Sequence, residues 1–239
     1  MKHPLISALE ARDRLSAAER DILLTMAARE RSVPAKEDIV REGTRPQDSC
    51  LVLSGLSARY HILADGRRQI TAIHVRGDFV DLHSLLLGTM DHGVVALTDC
   101  RVAFVPHAVL RDITETQPHL TRLLWLLTLI DAAIHRRWIV AAGRLQAPGQ
   151  LAHLICELYT RLDLVGAASN LSFEFPVSQV ELSDALGLSS VHVNRTLREL
   201  RDRGLITWEN SQVTITNWAG LKACAEFDPT YLNLQQTPR

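Results

Sequence analysis

A chain of 239 residues with 46% hydrophobic content is long enough for two ordinary domains, each with its own core. With 26 Lys and Arg against 27 Asp and Glu the net charge is −1, so no global field draws the chain toward nucleic acid or an anionic membrane. The four cysteines (Cys50, Cys100, Cys156, Cys224) stand singly without a C-x-x-C pair, which excludes a zinc knuckle and argues against a disulfide framework.

Residues 1–30 read as helical, with Ser16 and Glu19 forming a capping box that opens a helix through Ile22, Leu23, Met26 and Ala27. No charged start followed by an apolar run marks a signal peptide near Met1. From Arg31 to Pro106 the pattern changes to short apolar segments at Asp38–Val40, Cys50–Leu53, Ala58–Leu63, Ile70–Val75, Val94–Thr98 and Val102–Val105. Turn dipeptides separate them: Glu42-Gly43, Ser54-Gly55, Asp65-Gly66 and Arg76-Gly77. Many short strands with glycine turns predict an antiparallel β-roll of the cupin-like jelly-roll kind. From Pro118 to about Ala142, Leu120, Leu123, Leu127, Ile130, Ile134, Trp138 and Ala141 step by threes and fours, a coiled-coil-like seam. Trp125, Leu126, Leu129 and Ala133 make the other faces apolar as well, so the helix needs covering on two sides, by its own roll and by a second copy. Its longest apolar run, Leu123 to Ile130, is too short to span a bilayer, and a cytoplasmic protein is expected.

Gly143 to Gly149 breaks the pattern as a candidate hinge, and Leu151, Leu154, Ile155, Leu158 and Leu162 then predict a bracing helix. A strand is expected at Leu171–Phe175 and a loose tail from Phe227. Between these lie two short helices. Ser178 with Glu181 caps the first, and Gly187 permits the positive φ that ends it. Ser189 caps the second and Gly204 closes it. Val193, Leu197 and Leu200 form an apolar stripe there, while Ser190, Val191, Asn194, Arg195 and Arg198 fall on the opposite face. That is the arrangement of a helix-turn-helix, whose second helix enters a DNA major groove. The alternating runs Leu205–Trp208 and Val213–Thr216 around Asn210-Ser211 add a β-hairpin wing. The charge is positive only locally, with Arg195, Arg198, Arg201 and Arg203 against Glu199 and Asp202.

The A-L-G-L-S turn at Ala185–Ser189, V-N-R-T-L at Val193–Leu197 and R-x-x-G-L-I at Arg201–Ile206 resemble the DNA-binding domain of the Crp/Fnr family of bacterial transcription regulators. The order of short strands, with a leading helix and the V-L-S-G step at Val52–Gly55, resembles that family's cyclic-nucleotide-binding-like β-roll. The resemblance implies an α+β chain: an effector domain at 1–117, a dimerisation helix at 118–143 and a winged helix-turn-helix at 144–239. It also implies a homodimer on a palindromic site, with RNA polymerase as a further partner. Ser190, Val191 and Arg195 fall where a well-studied member carries Arg, Glu and Arg to read bases, and only Arg195 matches. Arginine fits the O6/N7 edge of guanine, so a G is expected in each half-site. Ser178, Ser189, His192, Asn194 and Arg198 are further candidates for phosphate or groove-edge contact.

In the roll this sequence departs from the family. Cyclic-nucleotide binders grip the phosphate with a Gly-Glu pair and, about ten residues later, an Arg-Ser/Thr pair. Here Gly77-Asp78 stands in place of the first, and no Arg or Lys follows before Cys100. A buried anion would lack its fork-shaped donor, so cyclic AMP or GMP is not expected and the effector has no name from sequence. Asp78, His83, Ser84, Thr89 and His92 are the effector-pocket candidates, with no H-x-H spacing to mark a metal. The amino-terminal cysteine cluster that carries an iron–sulfur centre in the oxygen-sensing relatives is absent. Two other readings stay open: a regulator that binds DNA constitutively over an empty roll, and a cupin-like metal-dependent enzyme.

Overall fold

The structure, a computed structural model, describes residues 3–239; Met1 and Lys2, at the start of the expected leading helical segment, lie outside them. Two compact units emerge, one of Met1–His61, Ala72–Ala133 and Asn233–Arg239, the other of Ile62–Thr71 and Ile134–Leu232. No helix among the described residues is long and apolar enough to cross a membrane.

The first unit opens with α1 (Pro4–Glu10) and α2 (Ala17–Thr25), the latter started by the expected capping box of Ser16 and Glu19. The strands β1 (Arg29–Val33), β2 (Asp38–Val40), β3 (Asp48–Ser54), β4 (Ser57–Ile62) and β5 (Arg68–His74) follow. After a single-turn α3 (Ser84–Leu87) come β6 (Gly93–Ala96), β7 (Cys100–Pro106) and α4 (His107–Thr116). The strands form two antiparallel sheets, ordered β1-β7-β3 and β2-β6-β4-β5. The expected roll is present.

Side chains alternate across a strand, and β3 shows why it reads as a continuous apolar run. Cys50 and Val52 join Val40, Val94, Val102 and Phe104 in the core of the roll. Leu51 and Leu53 point the other way, into a second core with Leu5, Leu9, Leu23, Leu110, Leu120 and Leu123 from the helices. Gly55 makes the turn to β4 with φ +85°, where an added Cβ would meet the Asp99 carbonyl oxygen at 2.5 Å. No other residue fits that turn without moving backbone.

Three elements of the first unit were not foreseen: β1, α3 and α4. β1 is polar along most of its length and shows no alternation, and α3 is a single turn; α4 is amphipathic, with Leu110 and Ile113 buried on one face, but it is short and lies between two stronger patterns. The tail is also better held than expected. Within the second unit, Phe227 and Leu232 are buried and Pro229–Leu232 forms a 3-10 turn. Within the first, Arg239 donates to the Arg12 carbonyl and Gln236 to that of Glu10.

His119, on α5 (Pro118–Arg144), sits between Glu19 at 2.5 Å and Asp13 at 3.2 Å. Burial works against its charge, but the two carboxylates prevail and raise its pKa above the ordinary 6.5. Asp13 and Glu19 are lowered, against burial, by backbone hydrogen bonds and by His119. A raised histidine stabilises fully below its unfolded value and loses that contribution as pH climbs through the folded one; the lowered carboxylates lose theirs as pH falls. His119→Gln should therefore depress the melting temperature most near about pH 5.5, and the deficit should shrink by about pH 8.5. Scanning calorimetry of both proteins across that range checks it.

The second unit contains α6 (Ala147–Leu164), a small sheet ordered β10-β11-β9-β8, the helices α7 (Gln179–Leu186) and α8 (Ser190–Asp202), and α9 (Trp218–Ala225). Its strands are β8 (Ala168–Ser169), β9 (Ser172–Glu174), β10 (Ile206–Glu209) and β11 (Gln212–Ile215). The expected hinge is narrower than its sequence span: α5 runs through Gly143 to Arg144 and α6 begins at Ala147. Helical hydrogen bonding tolerates a single exposed glycine near a helix end, so only Leu145 and Gln146 separate the two helices.

Candidate nucleic-acid interface

α7 begins with a complete capping box in which the Ser178 hydroxyl accepts from Glu181 N–H and the Glu181 carboxylate accepts from Ser178 N–H. It ends at Gly187, whose φ of 65° is left-handed and whose N–H closes on the Ser183 carbonyl. Ser189 then caps α8, accepting from His192 N–H. Three residues thus separate the helices. The inner side of α8 (Val193, Thr196, Leu197 and Leu200) is buried, and α6 supplies the buried Leu154, Ile155 and Leu158 that brace this unit.

The outer side of α8 is open. Val191, Asn194, Arg195 and Arg198 are exposed, with Val191 80% accessible. Arg195 and Arg198 make no hydrogen bond or ion pair among the described residues, whereas Arg203 pairs with Glu199. Arg201 is occupied differently: it donates to the Trp208 carbonyl at 2.8 Å and ties α8 to the wing. Between β10 and β11, Asn210 and Ser211 both take positive φ, 47° and 69°, the tight hairpin turn that matches strand twist. Trp208 stacks on Phe175, the residue that follows β9.

The remaining candidates divide by what already engages them. Ser178 and Ser189 are caps with committed hydroxyls. Ser190 meets Ser183 at 3.2 Å, and Asn194 donates to Gln179 at 2.7 Å, so both help dock α8 on α7. His192 is half-buried. Val191, Arg195 and Arg198 remain as the outward surface. Arg68 and Gln69, not among the expected site residues, hold the end of α7 through the Asp184 side chain at 2.8 Å and its carbonyl at 2.7 Å. A contact over more than a hundred residues leaves no local pattern.

The seam expected on α5 faces inward. Leu120, Leu123, Ile130, Ile134 and Ala141 are buried within the chain, and Leu127 and Trp138 are half-buried. The exposed apolar side is another stripe: Trp125, Leu129, Ile139 and Val140.

The effector-pocket candidates do not form one site. The Asp78 carboxylate accepts from Val75 N–H and serves its own turn. Ser84 is buried against His107, and Thr89 lies outside with Arg45. Only His83 and His92 come together, with ring centroids 5.1 Å apart. Asp91 joins them at 2.7 Å from His92 Nδ1, and His61 stands 6.0 Å from His92 between ring centroids. Burial, helped by the charge of Arg59, drives the His92 pKa down to about 4, so its ring is neutral at pH 7. Arg59 itself is buried, bonded to Asp131 at 3.1 Å and to the Val80 carbonyl.

Comparison with known proteins bears on both units. Residues 149–224 match the family described as "Crp-like helix-turn-helix domain", and residues 30–117 match "Cyclic nucleotide-binding domain". The transcriptional activator protein FnrL of Cereibacter sphaeroides is 26% identical over 195 residues, covering 80% of this chain and 78% of that protein. The nitrogen fixation regulation protein FixK of Bradyrhizobium diazoefficiens is 29% identical over 177 residues, 73% of this chain and 72% of its own. The solved structure of FixK2 from Bradyrhizobium japonicum superposes with a TM-score of 0.74 at 26% identity, covering 82% of this chain and 96% of that one.

Proposed function

The chain belongs to the Crp/Fnr family of DNA-binding transcription regulators, and from that premise we propose that it reads a two-fold DNA site as a homodimer tuned by a ligand of its β-roll. It is a regulator and not an enzyme. A reader of chromosomal DNA works in the bacterial cytoplasm, and RNA polymerase is its natural partner there. The proposed division of labour is an effector domain at 1–117, the helix at 118–143 and the DNA reader at 144–239.

The observation that carries the reading is the outward face of α8, where Arg195 and Arg198 stand exposed and uncommitted beside Val191. Arg195 has the reach and the planar donor pair to bond guanine at O6 and N7; Val191 offers a methyl surface suited to thymine. Arg198 lies about one turn further along and suits a phosphate. Because the net charge is −1, long-range attraction contributes little and these few contacts decide affinity.

Several observations support a ligand other than a cyclic nucleotide. The stretch from Gly77 to Cys100 holds no Lys or Arg. The buried guanidinium that does reach this region, Arg59, already pairs with Asp131. An iron–sulfur centre on amino-terminal cysteines has no ligands here, since the first cysteine is Cys50, buried in the roll.

Arg195→Ala should weaken binding to the selected duplex by about 5- to 150-fold, the equivalent of roughly 1 to 3 kcal/mol for one bidentate base contact. It should also relax the preference for G at one position per half-site. Arg198→Ala should weaken all duplexes alike and lower the salt dependence. Selection from a random DNA library followed by fluorescence anisotropy measures both, and unchanged affinity in Arg195→Ala would refute the assigned face.

A further inference from the structure

Three helices of the second unit leave a hollow between them. Trp138 from α5, Gln150, His153 and Leu154 from α6, and Ala185 and Leu186 from α7 line about 330 Å³ of open space, its mouth included. All six belong to that one unit. We propose that this hollow binds an uncharged molecule with one aromatic ring and an O–H or N–H donor, at a site separate from any ligand of the β-roll.

The walls are mostly apolar, and their rings are already fixed. The Trp138 indole N–H donates to both carboxylate oxygens of Glu157 at 3.3 Å, so a flat ring stands preset in one wall. A ligand ring gains from such a neighbour by stacking offset or edge-on. Leu154 and His153 are buried in the α6 wall. His153 Nε2 lies 3.4 Å from the Tyr231 hydroxyl. Burial, with the charge of Arg137, pushes the His153 pKa down to about 4, so this ring is neutral at pH 7.

Gln150 sets the need for a donor. Its Nε2 donates to the Leu145 carbonyl at 2.9 Å and to that of Ala142 at 3.4 Å, where α5 ends. Turning the amide over would set its oxygen against two carbonyl oxygens, so the orientation is fixed by chemistry. That leaves Oε1 buried and without a hydrogen-bond partner. An acceptor buried unbonded costs free energy, and a ligand donor removes the cost. Size and charge narrow the class further. The hollow stands at the lower end of ligand-site volumes, which suits one ring and not a nucleotide. An ionised ligand would shed its hydration without a counter-charge in the walls. The nearby charges are already engaged, Glu157 with Arg161 at 3.1 Å and Arg137 over the Tyr231 ring at 5.5 Å.

Ala185 and Leu186 directly precede Gly187, the left-handed cap from which the turn to α8 begins. A ring seated against them braces the end of α7 on α5 and α6. Only the consequence for duplex affinity rests on the proposed regulator; the binding does not. The test is titration of the full-length protein with phenol and with toluene, its isostere without the donor. The Trp138 indole and Gln150 amide signals in 15N–1H spectra report binding locally. Phenol should bind about 2- to 12-fold more tightly than toluene, the worth of one hydrogen bond. Gln150→Met should erase that preference while both probes still bind. Ala185→Leu fills the hollow and should weaken both by at least about tenfold. Melting temperatures without probe confirm that the variants fold. If neither probe moves the two signals, or if Ala185→Leu binds as the wild type does, the site is overturned; equal affinity for the two probes overturns the role of Gln150. Affinity for the selected duplex, measured on the same samples, keeps the readings apart. Protein that binds DNA but no phenol overturns this site alone. Protein that binds phenol here but no duplex keeps the site and overturns the regulator.

Discussion

The double variant Leu129→Arg and Ile139→Arg should scatter light as a single chain and lose about 10²- to 10⁴-fold in affinity for a two-fold operator, the range by which joining two binding modules strengthens them. Both residues are exposed on α5, together with Trp125 and Val140. From Trp125 the steps through Leu129, Ala132, Arg136 and Ile139 run four, three, four, three, the spacing of a heptad seam. Leucine and isoleucine left in water along one helix face each forgo roughly 1.5 to 3 kcal/mol of burial, and a symmetric second copy recovers it. Charges at both positions replace that gain with repulsion across the two-fold axis. Half-site affinity should survive, because α8 is untouched. Wild-type protein that is itself monomeric at the concentrations of the DNA assay would refute the dimer, whatever the variants do.

The position of that stripe shows where sequence legibility ends. A helix apolar over most of its circumference carries two candidate seams, and periodicity cannot tell which one its own chain will cover. Leu120 and Leu123 have the better spacing on paper, and the fold spends them on the core shared with the first unit's helices and strands, while Ile130 is buried as well. The helix-turn-helix was legible for the opposite reason. Ser178, Glu181, Gly187 and Ser189 act within a few residues of themselves, so their roles are written locally and the structure keeps them. The wing followed from Asn210 and Ser211 in the same way. His83 and His92 were picked out individually, but their meeting with Asp91 depends on where a surface segment returns to the sheet, and no spacing rule encodes that. β1 escaped because polar residues on an edge strand carry no strong period.

A larger effect on stability is expected at a residue that sequence reading passed over. Glu157, on α6, is fully buried, with Arg161 at 3.1 Å, Tyr231 at 2.7 Å and Trp138 at 3.3 Å from its carboxylate. Burial raises its pKa, and the charge of Arg161 with the donors from Tyr231 and Trp138 pulls it back. Removing one member of a buried pair costs about 3 to 5 kcal/mol, because the partner keeps its desolvation penalty without its counter-charge. Glu157→Ala should therefore lower the melting temperature by about 6 to 20 °C, at the roughly 2 to 4 °C per kcal/mol usual for a chain of this size. The network joins α5, α6 and the 3-10 turn at Tyr231, and α6 also supplies buried leucines to the unit that carries α8. Duplex affinity should accordingly hold at low temperature and fail early on warming. Replacing both Glu157 and Arg161 by leucine should recover most of the loss, since apolar replacement of a whole buried pair is often neutral. If the single variant melts with the wild type, the buried charge is not what holds these elements together, and the α6 face of the DNA-reading unit must be sustained by its leucines alone.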